Sequence, residues 1–448
     1  MNFLGDIMSK KTIIKGAFIL TVTGLLTRFI GFFFRIFLSH SFGEEQMGLY
    51  QLVFPIFALC FSFTSAGIET ALCRCVAGKV ARGKKKDAES LLYIALCISV
   101  SLSVLLMLLL QQFSTPISIY ILGDLRCEEL IQLMAYSLPF ASIHSCICGY
   151  YLGLKQIKVP ALSQFVEQVF RVAAVYFAYQ VFLANSLPVS IHLAVLGIVI
   201  GEIVSALFCF RFVSSDCHLP VSIGTLFHNR SLGKELCALA FPLTATRILT
   251  NLLQSIETIS IPLFLQKYGY TNAQALSTYG VFTGMALPCI LFPSAITNAV
   301  STMLLPTVAE IEAESNLAKL KALIRKVIFF GFGLGSFCGI FFLLLGPLVG
   351  SILFNSQLTG DFLRTLAWLC PFLYMNTSLI SILNGLGKAT TSFLINILSL
   401  SIRIFSVWWG IFFYGMNGYL HGLLLSQLLV SLCCILSLNN YIHNRELD

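Results

Sequence analysis

LTVTGLLTRFIGFFFR, residues 20–35, and LTATRILTNLLQSIET, residues 243–258, decide how this chain is built. Their first eight positions share five identities at an offset of 223. In the first stretch Thr21, Gly24, Arg28, Gly31 and Arg35 recur every three or four residues, which lines them along one helical face. In the second, Thr244, Arg247, Asn251, Gln254 and Thr258 occupy the matching positions. The other faces of the first stretch are Phe, Ile and Leu, suited to lipid. A helix with one polar stripe and an otherwise lipid-like surface, written twice, predicts a membrane protein made of two related halves.

Composition agrees. Hydrophobic residues make up 57% of the 448 positions, charged residues 11%, and the mean hydropathy is +0.87, which excludes a water-soluble fold. Apolar runs long enough to cross the roughly 30 Å of hydrocarbon recur along the chain, and only helices can carry them, because lipid satisfies no backbone polar group. Spans are expected near 14–38, 48–72, 90–111, 130–153, 159–182 and 190–212, then near 236–265, 278–305, 325–345, 364–386, 390–413 and 418–440. The first follows Lys10, Lys11 and Lys15 but is too long for a signal peptide and is read as retained. The expected architecture is an all-α polytopic membrane protein of about twelve spans in two parallel six-helix repeats, lobes 1–212 and 236–448 joined by a cytoplasmic linker at 213–235.

Basic residues orient it. Of the 28 Lys and Arg, 20 fall on the side that holds both termini, three (Arg126, Lys267 and Arg364) on the other, and five inside spans. Positive-inside reasoning puts both termini in the cytoplasm. The net charge of +8 thus reports topology and carries no nucleic-acid signal. Further weak identities support duplication: Tyr50 with Tyr279, Pro139-Phe140 with Pro371-Phe372, and Arg171 with Arg403, the last two at an offset of 232. Most of the fifteen cysteines sit in apolar spans and read as small hydrophobes; Cys73/Cys75 and Cys146/Cys148 lack metal-ligand spacing, so no metal, cofactor or disulfide framework is expected.

Charges at bilayer depth need a partner, a wet cavity or a route to the surface. Arg28 and Arg247 are placed near mid-depth and Arg35 nearer the outside, so the two stripes, with Asn251 and Gln254, are expected to line a hydrophilic cavity between the halves. The same stripes also fit an interhelical hydrogen-bond seam, with Arg35 snorkelling. Glu167 and Arg171 stand four apart in the order that favours a structural ion pair. Arg403 has Ser399 where that acid would be, so another helix or a ligand must supply its partner. Glu69 and Glu202 are candidates to answer an arginine or to titrate. Unpaired guanidinium groups suit a phosphate or pyrophosphate, for which arginine offers bidentate donors.

LTRFIGFFFR at 26–35, FGEEQMGLYQLVFP at 42–55 and FPLTATRILTNLLQSIETISIP at 241–262 resemble the stage V sporulation protein B family, in the polysaccharide-flippase branch of the multidrug/oligosaccharidyl-lipid/polysaccharide (MOP) exporter superfamily. The resemblance covers nearly the whole chain. It implies a MATE-like V-shaped fold and flipping of an undecaprenyl-pyrophosphate-linked oligosaccharide or peptidoglycan precursor across the bacterial cytoplasmic membrane. It also sets Arg28 and Arg35 on the arginines of the family's first-helix pattern and Arg247 on that of its seventh. Family members that flip peptidoglycan precursors usually carry two further spans, which weakens that substrate for a chain of twelve. The expected partners are the lipid-linked saccharide, the bilayer and a counter-ion, with a monomer sufficing and no catalytic residue required. A multidrug or cation antiporter of the same fold is the alternative, although its first helix should offer an acid. A membrane glycosyltransferase is a third class, but the dense acidic run Glu310, Glu312 and Glu314 reads as a solvated loop.

Overall fold

The computed structural model describes residues 2–216, 230–314 and 316–447, and every regular element among them is helical. In chain order these are α1 (Asn2–Phe61), α2 (Gly67–Ala81), α3 (Lys85–Pro116), α4 (Cys127–Ala135), α5 (Ser137–Gly153), α6 (Lys158–Ala184) and α7 (His192–Asp216). After most of the linker, which lies outside the described residues, come α8 (Arg230–Tyr268), α9 (Asn272–Gly280), α10 (Leu287–Leu291), α11 (Ser294–Ala313) and α12 (Leu317–Phe354). The last five are α13 (Gln357–Ala367), α14 (Cys370–Gly385), α15 (Ala389–Phe405), α16 (Ile411–Tyr414) and α17 (Met416–Leu447).

Among the described residues seven helices are long and apolar enough to cross a membrane, or up to ten if each of three bent pairs is one span. The stretch Val22–Ala81 counts once although it holds two expected spans, because residues 39–47, expected as a connection, are helical too. They are interrupted only at Gly43, where φ is +79°, a left-handed value that glycine adopts without strain. The expected span at 159–182 lies in α6, which carries Glu167 and Arg171 and is not among the seven. Twelve therefore remains the expectation from the sequence.

Three expected spans are broken rather than straight, and two of the breaks match across the repeat. The one at 130–153 is α4 plus α5, bent by 42°, and the one at 364–386 is α13 plus α14, bent by 58°. Pro139 and Pro371 sit in the first turn after each break, where a missing N–H costs a helix no bond. The two breaks share the 232 offset, as a duplicated unit requires.

By packing, the chain divides into two units. The first comprises Met1–Phe34 and Leu52–Ser255. Its core gathers Leu72, Leu91, Leu92, Ile147, Tyr151 and Cys209 from α2, α3, α5 and α7, all fully buried. Just before α2, residues Ser62–Ala66 form a widened π-turn. There the Thr64 carbonyl accepts from Ser99 Oγ at 2.7 Å, and Ser65 Oγ meets Ser99 Oγ at 3.2 Å and Ser142 Oγ at 2.7 Å. Buried hydroxyls thus satisfy backbone that the turn releases, which lipid cannot do.

The second unit comprises Arg35–Gln51 and Ile256–Asp448. Val308, Leu379, Ile382, Leu383, Cys434 and Leu438 form a core between α11, α14 and α17. The second half of α1 crosses α9 so closely that a Cβ added at Gly280 would stand 2.5 Å from the Gly48 nitrogen. Pro55 deprives the Gln51 carbonyl of its helical donor, and Tyr279 Oη donates to it at 3.4 Å. Faces away from both cores are apolar: Phe177 is 72% exposed, Phe329 82% and Leu344 71%, as side chains that meet lipid should be.

Candidate functional site

Arg28 on α1 and Arg247 on α8 both belong to the first unit and both are exposed. Neither makes a hydrogen bond or ion pair with the described residues, although Arg247 lies within electrostatic range of Glu69 on α2. Gln254, two turns along α8 from Arg247, is likewise exposed and without a hydrogen-bond partner among the described residues. Glu69 is engaged elsewhere, accepting from Ser145 Oγ at 2.8 Å. A guanidinium within an apolar helix that meets no acid needs water or an anionic ligand.

The other three candidates are engaged within the chain. Asn251 Nδ2 donates to Ser62 Oγ and to the Ala58 carbonyl, the latter at 3.4 Å, and Ser255 Oγ, 2.7 Å from the Asn251 carbonyl, also comes within 3.3 Å of the Pro55 carbonyl. This part of the α8 stripe is a hydrogen-bond seam against α1 and the π-turn. Arg35, in the second unit, donates to the Thr283 carbonyl at 3.3 Å. Arg403 on α15 finds its partner on another helix: its Nε donates to Glu257 Oε1 at 2.7 Å, and Tyr419 Oη donates to the same oxygen at 2.7 Å. Glu257 is only 1% exposed.

Glu167 and Arg171 form the expected pair on α6. The sequence did not reveal what surrounds them. His144 Nδ1 on α5 lies 3.8 Å from Glu167 Oε2 and 3.5 Å from Glu202 Oε2 on α7, all within the first unit. The ring is bracketed by two hydroxyls, Ser163 Oγ at 3.0 Å from Nε2 and Ser205 Oγ at 3.2 Å from Nδ1. Cys148 and Cys209 also approach His144, their ligand-type atoms lying within 4.8 Å of one another. Both ring nitrogens are already bracketed by hydroxyls, so this is a hydrogen-bonded histidine rather than an open ligand set. The four-residue step from His144 to Cys148 was a legible hint on one helix face; Glu202 and Cys209 enter only through packing.

Straight, broken and π-turn helices in two units, with unpaired arginines in apolar stretches, define a multi-pass α-helical membrane protein. Its fold matches an inward-facing multidrug resistance MATE family transporter of the MOP superfamily, with a TM-score of 0.71 at 16% identity over 94% of this chain and 95% of that one. Residues 13–312 match the model of the polysaccharide biosynthesis protein family, and the chain belongs to that family. It is 29% identical to stage V sporulation protein B of Bacillus subtilis over 306 residues, 68% of this chain and 59% of that relative's length. Capsular polysaccharide biosynthesis protein CapF of Staphylococcus aureus is 23% identical over 340 residues, 75% of this chain and 76% of the relative.

Proposed function

We propose that the protein is a flippase that carries a polyprenyl-pyrophosphate-linked saccharide across a bacterial cytoplasmic membrane by alternating access of its 1–212 and 236–448 lobes. The observation that carries this reading is the pair Arg28 and Arg247, exposed guanidinium groups on apolar helices with no acid bonded to either among the described residues. Burying either against hydrocarbon would cost about 3 kcal/mol or more, so both fit a hydrated path. Along that path a pyrophosphate would exchange water for bidentate donors. Arg35 and Gln254 extend the polar stripes. Asn251 and Arg403, engaged by Ser62 and Glu257, hold helices in place beside the path.

The family and the relatives' part in sporulation and capsular polysaccharide biosynthesis point to a saccharide cargo. No covalent step is required, a monomer suffices, and both termini are placed in the cytoplasm. The fold likeness to a multidrug transporter supports a second reading, an antiporter of organic cations. Against it stands the arginine content of the stripes, which repels a cationic cargo.

The test is translocation of a lipid-linked precursor in proteoliposomes by wild type, Arg28→Ala and Arg247→Ala, with equal folding and insertion checked first. Flipping by wild type and a loss of tenfold or more in each variant is expected. Wild-type rates in both variants would reduce the stripes to packing seams, and transport of organic cations alone would favour the antiporter.

A further inference from the structure

His144 sits between two acids, and both its hydrogen-bond partners and the local charge balance bear on its protonation. A serine hydroxyl has one proton to give. Ser163 Oγ gives its proton to the Pro160 carbonyl at 2.9 Å, and Ser205 Oγ gives its own to the Glu202 carbonyl at 3.0 Å. With those two bonds made, each hydroxyl offers lone pairs to the ring, and Nε2 and Nδ1 both face acceptors. A neutral imidazole has one N–H and would leave one of these contacts without a donor; only the imidazolium supplies two.

Charge balance asks for the same proton. Arg171 offsets Glu167, but Glu202 is 9% exposed and its Oε2, 3.5 Å from Nδ1, has no hydrogen-bond partner. With a neutral ring the cluster carries one uncompensated buried negative charge, which is costly. With an imidazolium it is neutral. The remaining titratable neighbours do not supply the balance: Cys148 and Cys209 are buried thiols on α5 and α7, Cys146 faces the Ala95 carbonyl on α3, and Glu69 on α2 would add a further negative charge.

The repeat supplies an internal control. At the 232 offset His144 corresponds to Asn376 and Glu167 to Ser399. Asn376 is also buried, against α17, donating to Gln427 Oε1 at 2.9 Å and accepting from Ser431 Oγ at 2.7 Å. The second unit thus builds the same helix contact from neutral amides and a hydroxyl. Packing alone needs no histidine or acid there, so the titratable version in the first unit has another use.

We propose that the His144–Glu167–Glu202 cluster is a buried site for one exchangeable proton, carried on the His144 ring and balanced by Glu202. The only bond made on loading is an N–H bond, the proton coming from water and returning to it on release. Use of this proton to drive transport rests on the flippase reading above; the site itself does not.

Proton binding is read on the resting protein, without lipid-linked substrate, by NMR of the full chain carrying ring-labelled histidine in detergent micelles. His144→Asn, which copies the second unit, assigns the signal. If that variant fails to fold, replacing His40, His192, His218, His228, His421 and His443 instead leaves His144 as the single reporter. A His144 ring that passes from imidazolium to imidazole between about pH 5 and 10 is expected. Glu202→Gln should weaken its proton affinity by about tenfold or more, and exchange of choline for sodium should leave the titration in place. A ring that stays in one form throughout, or a titration indifferent to Glu202→Gln, overturns the proposal. Displacement of the titration by sodium also overturns it, in favour of a metal-cation site.

Discussion

Glu257, Arg403 and Tyr419 form a buried charge network whose loss can be calculated in advance. Glu257 is 1% exposed and the Arg403 side chain 26% exposed, so removing the carboxylate strands a guanidinium that water reaches in part. Breaking a buried ion pair costs about 3–5 kcal/mol, and partial hydration of Arg403 places Glu257→Gln at the low end, about 3 kcal/mol. The glutamine keeps an oxygen for Tyr419 Oη, so the loss isolates the charge. Tyr419→Phe removes one hydrogen bond to a charged acceptor, about 1.5–3 kcal/mol. Arg403→Met leaves the buried carboxylate alone and should cost at least as much as Glu257→Gln. The double variant Glu257→Gln, Arg403→Met replaces the pair by neutral groups and should recover about 2 kcal/mol relative to the sum of the singles. Trp408 and Trp409 lie in the π-turn that follows α15, within six residues of Arg403, and report its unfolding directly. Unfolding in mixed micelles of rising SDS fraction, followed by their fluorescence, yields the four values. Single losses that add to within about 0.5 kcal/mol in the double variant would refute the pairing, and Arg403 would then be free to meet a ligand.

Gly280→Ala should destabilise the second unit by about 1–3 kcal/mol, because the new methyl group meets the Gly48 backbone at 2.5 Å rather than the tip of a side chain; the same detergent titration reads it. Cys237 is exposed at the start of the expected seventh span, whereas Cys146 is fully buried. In a Cys217→Ser background, a membrane-impermeant maleimide should therefore label Cys237 from the cytoplasmic side only, and labelling from outside would invert the proposed topology.

The helical membrane class, the rough positions of the spans and the duplication were all readable from the chain. Each depends on local quantities: apolar run length against bilayer thickness, stripe spacing along one helix, and the placement of basic residues at its ends. The Glu167–Arg171 pair was readable for the same reason, since four residues on one helix face fix the geometry without a fold. So was the need of Arg403 for a partner, because a charge at that depth calls for an acid, a ligand or water.

Which partner it took was a tertiary matter. Glu257 lies 146 positions away from Arg403, and nothing in helical spacing relates α8 to α15. The same limit separates the stripe residues of α8, where Arg247 and Gln254 stay unengaged while Asn251 is taken up by Ser62. Periodicity lines up a face but does not say which turn of it a neighbouring helix covers. His144 was legible only through its four-residue step to Cys148 on one helix face. Its meaning comes from two serine hydroxyls that bracket the ring and from an acid on a third helix. Hydrogen-bond direction and charge balance are properties of groups assembled from separate helices, so the tertiary structure alone decides them.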